Sequence, residues 1–131
     1  MTGLDSNVLL RYLAQDDRAQ SSRATRLIEH ELSERAPGYI SLVVLVETCW
    51  VLKRIYGVTA AEIKATVRDL LDTRQLMVER RVAVAHALER AGAGNFVDAL
   101  ITDVAMDAGC SRVVTFDRKA ARLGMTLLAP A

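Results

Sequence analysis

The chain has 131 residues, 51% of them hydrophobic and 25% charged, the balance of one ordinary globular domain. Seventeen basic and sixteen acidic residues leave a net charge of +1, so no overall basic field announces a nucleic-acid binder. Pooling four of the acids in one pocket would still leave twelve facing seventeen cations, about +5 on the outer surface. In chain order, a short strand at Thr2 to Leu4 runs into Asp5-Ser6-Asn7, which starts a helix through Leu13. Ala24, Leu27, Ile28 and Leu32 recur at helical spacing and predict a second helix ending near Arg35. Pro37-Gly38 turns the chain into a strand at Tyr39-Ile40-Ser41, whose serine caps a helix that stops at Gly57. Thr59 and Glu62 form a capping box ahead of the stripe Ile63, Val67, Leu70 and Leu71. A strand at Leu76 to Glu79, a helix at Val82 to Ala91, and a Gly92-Ala93-Gly94 break follow. Asn95 caps a helix through Ala108, ended by Gly109. Arg112 to Thr115 reads as a strand, Asp117 to Leu123 as a helical turn and Thr126 to Leu128 as the last strand. This alternation predicts a single α/β/α domain over residues 1–131, with a mainly parallel central sheet flanked by helices.

Cys49 and Cys110 have no metal-ligand spacing and sit among apolar residues, so we expect both in the core of a protein kept reduced in the cytoplasm. The start MTGLDSN has neither a basic head nor an apolar run, which argues against a secretory signal. The longest apolar stretch is broken by Glu47 and is too short to span a membrane.

Glu47 is the residue that composition does not explain. Five apolar residues precede it in LVVLVETCWVL, and no other acid lies between Glu34 and Glu62. A carboxylate in such surroundings is expected to be buried, and so to need a cation or a metal. Asp5 and Asp117 follow predicted strands closely, Asp98 opens its helix, and Glu47 lies under two turns into the helix after the second strand. In open α/β sheets the functional crevice lies beyond the carboxyl ends of the strands, where all four acids are expected to meet. Four carboxylates without a histidine or cysteine cluster suit a hard, oxygen-seeking cation. Each aspartate could instead be a simple helix cap, and Glu47 could pair with Arg54, Arg112 or Arg118. Asp103 and Asp107 are expected to face solvent, His30 and His86 to lie at the surface or its boundary, and Asp16-Asp17 to sit in a loop or start a helix. Arg118-Lys119 suits either a phosphate contact or a solvated turn.

Taken together, LDSNVLLRYL, YISLVVLVETCWVL, FVDALITDVAMDAG and VVTFDRKAARLG resemble, in order, the signature blocks of PIN-domain nucleases. Within that group they are similar to the VapC-type toxins of toxin–antitoxin pairs, and the likeness covers essentially the whole chain. The resemblance implies that Asp5, Glu47, Asp98 and Asp117 are an acidic quartet holding Mg2+ or Mn2+, with Asn7 supporting Asp5 and Thr115 standing near Asp117. It implies an endoribonuclease that cuts structured RNA, commonly tRNA or rRNA, through metal-activated water. It also implies a homodimer and an antitoxin that blocks the site, giving a heterotetramer or larger assembly. The chain departs from many relatives at Asn95, where they carry an aspartate.

Two readings from other classes compete. A phosphoryl-accepting domain would use Asp5, but the phosphatase motif wants an aspartate where Asn7 stands, and a receiver wants a lysine at the strand end occupied by Thr115-Phe116-Asp117. A catalytically idle PIN-like binding module would use the acids to hold a partner's arginine.

Overall fold

Parallel strands cannot be joined by a hairpin, so each pairing requires a helical crossover. In the computed structural model, which describes all 131 residues, β1 (Thr2–Gly3), β2 (Gly38–Ile40) and β3 (Leu76–Val78) pair in parallel in that order. Helices α1 (Ser6–Ala14) and α2 (Arg18–Arg26) make the first crossover, and α3 (Leu42–Arg54) and α4 (Ala60–Asp72) make the second. Then come α5 (Arg81–Ala91), α6 (Phe96–Asp107), β4 (Val114–Thr115), α7 (Arg118–Ala121) and β5 (Thr126–Leu127). The β4 and β5 strands pair in parallel with each other, so the expected parallel strands form two ladders rather than one continuous sheet. No helix is long and apolar enough to cross a membrane.

The helix starts follow the capping chemistry of the sequence. Ser41 Oγ accepts the Val44 N–H at 3.2 Å, Thr59 Oγ1 accepts the Glu62 N–H at 3.2 Å, and Asn95 Oδ1 accepts the Val97 N–H at 2.8 Å. Asp17 caps α2 through the Gln20 N–H at 3.0 Å. Helix α2 widens into a π turn at Leu27–Glu31, and Leu32 is already extended, short of the expected end at Arg35. Helix α3 likewise ends at Arg54, before Gly57, whose φ of +66° turns the chain.

The core forms where the helical stripes meet the strands. Ile63, Val67, Leu70 and Leu71 of α4 are buried, as their spacing predicts. They join Leu9, Ile28, Ile40, Leu45, Val84, Leu88, Phe96 and Leu100 in one apolar cluster. Gly38 of β2 is buried in this cluster, and a Cβ there would lie 2.7 Å from Leu32 Cδ1.

Two expectations need correction. Cys110 is exposed, because Gly109 at φ +102° carries the chain off the end of α6 into an exposed turn; only Cys49 is buried. Asp107 is exposed as expected, but Asp103 is half-buried, since α5 lies along α6 and brings cations within reach of both. Arg80 Nη2 donates to Asp107 at 2.5 Å, and Asp103 meets both Arg90 Nε at 2.8 Å and His86 Nδ1 at 3.1 Å. Arg90 does more than pair with Asp103: its Nη1 donates to the Leu123 carbonyl at 2.7 Å and its Nη2 to the Ala99 carbonyl at 2.9 Å. One guanidinium thus ties α5 to α6 and to the segment after α7.

Candidate active site at the strand ends

Asp5 follows β1 and caps α1, its Oδ2 accepting the Asn7 N–H at 3.4 Å. Both residues are exposed, and it is the Asn7 backbone that meets Asp5. Thr115 closes β4 and shapes the next turn: its Oγ1 accepts the Asp117 N–H at 3.0 Å, and Asp117 Oδ1 accepts the Lys119 N–H at 2.8 Å. The caps expected for Asp5 and Asp117 are therefore present. A cap uses one carboxylate oxygen and leaves the other available.

Glu47 is exposed, not buried as its apolar neighbours suggest. The reason is the helical period: α3 turns Val43, Glu47, Trp50 and Arg54 to its outer face and buries Leu45, Thr48, Cys49 and Leu52. The partner of Glu47 is neither Arg54, Arg112 nor Arg118 but the hydroxyl of Ser6, which donates to its Oε1. Ser6 is buried at the start of α1, so the contact joins the residue after Asp5 to the middle of α3.

Asp98 stands in the first turn of α6 and is half-buried. Burial, and then the charge of Asp117, push its carboxyl above the usual carboxylate range, and the Lys53 ammonium works against them. Asp98 and Asp117 both line a cleft of about 740 Å³, together with Trp50, Lys53, Arg54 and Arg122. Asp5 and Glu47 lie outside that lining. None of the four acids is in a salt bridge; the ion pairs of the molecule use Asp16, Glu31, Glu34, Asp103 and Asp107. A further strand-end acid, Glu79, is occupied by the N-terminus of α3, its Oε1 accepting the Leu42 N–H at 2.8 Å.

The family profile of the PIN domain matches residues 4–124. The chain belongs to the PIN-domain family. A search of curated proteins found no match. PIN domains are generally nucleases, typically use divalent metals, and are associated with RNA.

Whether this PIN domain suits such a metal can be judged from its donors. No three His, Cys, Asp or Glu side chains converge closely enough to form a closed cage. Magnesium does not require one, since it commonly keeps several waters and takes one or two carboxylates. Asp98 and Asp117 supply such a pair, and a cation between them would offset the burial and the Asp117 charge that together raise Asp98. The donors fit a hard divalent ion. Asp5 and Glu47 lie outside the lining of the cleft that holds the pair, and Ser6, the neighbour of Asp5, bonds to Glu47.

Four PIN-domain residues here escaped the sequence reading: Ser6, Trp50, Lys53 and Arg122. Trp50 carried a signal, standing three positions after Glu47 on the outer face of the same helix, whereas Lys53, six positions on, does not share that face. Ser6 and Arg122 carried none, because only the fold brings them near Glu47 and the cleft.

Proposed function

We propose that this PIN domain, acting as one unit over residues 1–131, is a metal-dependent endoribonuclease and the toxin of a toxin–antitoxin pair. The observation that carries the reading is the Asp98–Asp117 pair: two carboxylates facing one cleft, without a neutralising salt bridge, opposite Lys53. Asp98 and Asp117 would hold Mg2+ or Mn2+, with Asp5 and Glu47 contributing from the adjoining strand ends. Asn7 and Thr115 would support Asp5 and Asp117 from the turns they share. A bound divalent ion supplies an activated water and neutralises charge on the phosphate under attack.

The chain's own groups favour direct hydrolysis over a covalent intermediate. Cys49 lines the cleft, but burial pushes its thiol up to about 12, so it stays protonated and is a poor nucleophile. Lys53 is placed to attract the phosphate that the carboxylates would otherwise repel. The toxin role, the homodimer and the antitoxin that would cap it in a heterotetramer or larger complex rest on the ordered resemblance of the four sequence blocks.

The idle binding module remains a second reading, favoured by the position of Asp5 and Glu47 outside the cleft lining. In it, a partner's arginine would occupy the place of the ion between Asp98 and Asp117. Incubating the partner-free protein with tRNA and rRNA, in magnesium, manganese or chelator, separates the two. Metal-dependent cleavage supports the nuclease; intact RNA in every metal, alongside tight binding of an arginine-bearing peptide, supports the module.

A further inference from the structure

The cleft continues past the two acids onto a wall that their chemistry does not explain. Trp50 is the only tryptophan of the chain and is 57% exposed. Lys53, Arg54, Lys119 and Arg122 line the same cleft, and none of them is in a salt bridge. Arg54 lies with its guanidinium carbon 5.8 Å from the Trp50 ring centroid, within cation–π reach. An aromatic face among four cations that make no salt bridge, in a cleft whose only acids are Asp98 and Asp117, calls for a ligand with both a flat π-surface and negative charge. An apolar protein face would satisfy the ring and strand the cations. A second copy of the chain, meeting this wall with its own, would set like charges against each other. A nucleotide satisfies both requirements, because a base stacks on an indole whatever its sequence while its phosphates meet the cations.

We propose that this wall seats an unpaired nucleotide beside the scissile phosphate, its base stacked on Trp50 and its flanking phosphates held by Lys53, Lys119 and Arg122. The proposal rests on the nuclease reading for the position of the scissile bond. Such a seat takes an unpaired base, since a base in a duplex is already stacked on its neighbours and must be extruded to offer its face.

The single tryptophan makes the test direct, because emission excited beyond the absorption of the three tyrosines reports this site alone. Asp98→Asn protein, which should leave RNA uncut, is titrated with a short single-stranded RNA, the same RNA in a blunt duplex, and a strand whose bases are replaced by abasic sugars. The single strand should quench Trp50 to saturation, the duplex should quench weakly, and the abasic strand should bind without quenching. In the same background Trp50→Phe should keep affinity within a few-fold, and Trp50→Ala should lose roughly 10-fold or more. Lys53→Ala with Arg122→Ala should flatten the dependence of binding on salt. Saturable RNA binding with unchanged emission, or a folded Trp50→Ala protein of undiminished affinity, overturns the proposal. So does emission that follows protein concentration alone, which would mark the wall as a contact between copies. Cleavage by wild type with normal Trp50→Ala affinity removes the nucleotide seat and leaves the nuclease standing. Quenching without any cleavage by wild type does the reverse.

Discussion

A carboxyl group that is half-buried beside another acid is a site of stored repulsion, and Asp98 is the clearest instance in the molecule. Because its folded-state pKa is raised, its ionisation works against the fold: the contribution is complete below the unfolded value near 4 and fades as pH climbs through the folded value. In chelator, Asp98→Asn should therefore gain melting temperature relative to wild type as pH rises from about 4 toward neutrality. A difference that stays flat across that range would show that neither burial nor Asp117 raises the Asp98 carboxyl. In magnesium or manganese the same variant should lose RNA cleavage, since an amide keeps the shape but not the charge a hard cation needs. Glu47 makes the opposite case. It answers a hydroxyl rather than an arginine, so Glu47→Gln strands no cation and should cost well under the ~3–5 kcal/mol of a broken buried pair. Ser6→Ala, losing the donor to an exposed carboxylate, should cost about 1 kcal/mol in urea denaturation. The places of Asp5, Asp98 and Asp117 at helix starts were legible because a helix start depends on adjacent residues. The surroundings of Glu47 were not: an apolar run reads the same whether or not one helical face is turned to water, as Val43 and Trp50 on α3 show.

At the level of elements, legibility followed the chemistry of the ends. Ser41, Thr59, Asn95, Asp5 and Asp117 all cap the helices that their sequence context predicts, because a cap involves only residues two or three apart. The π turn after α2 was not legible, since the apolar spacing of Leu27, Ile28 and Leu32 continues past the point where the backbone leaves the helix. Nor was the division of the strands into two ladders, which depends on pairing between distant segments. Strand β2 also carries a packing restriction that periodicity does not reveal. A methyl group on Gly38 would meet Leu32, Leu4 and Leu76 at 2.7, 3.0 and 3.1 Å. All three contacts are the ends of flexible leucines, so Gly38→Ala should be folded but destabilised by about 1–2 kcal/mol, near the lower part of the overpacking range. Urea denaturation measures it, and a variant as stable as wild type would mean that the leucines re-rotate freely.

For the molecule as a whole, metal and pH should act together. If the ionised acids bind the ion, manganese should raise the melting temperature more at pH ~8 than at pH ~5.5, because proton and metal compete for the same oxygens. An equal rise at both values would remove the acids from the metal site. Few side chains hold the parts of that site together. Asp117 belongs to the β4–α7–β5 ladder, which shares no strand pairing with β1–β3, whereas Asp98 belongs to α6. Ala120 is buried, and Arg90 spans the junction by binding Asp103, Ala99 and Leu123 at once. Lysine carries a single ammonium and cannot reproduce that fork. Arg90→Lys should therefore let the last ladder open before the rest of the chain, seen as faster amide exchange at Thr126 and Leu128 with the protection of α4 unchanged. Such an opening would part Asp117 from Asp98 without unfolding the protein. Catalytic lifetime on warming would then be set by the detachment of a terminal flap, and activity would vanish while most of the helical signal persisted.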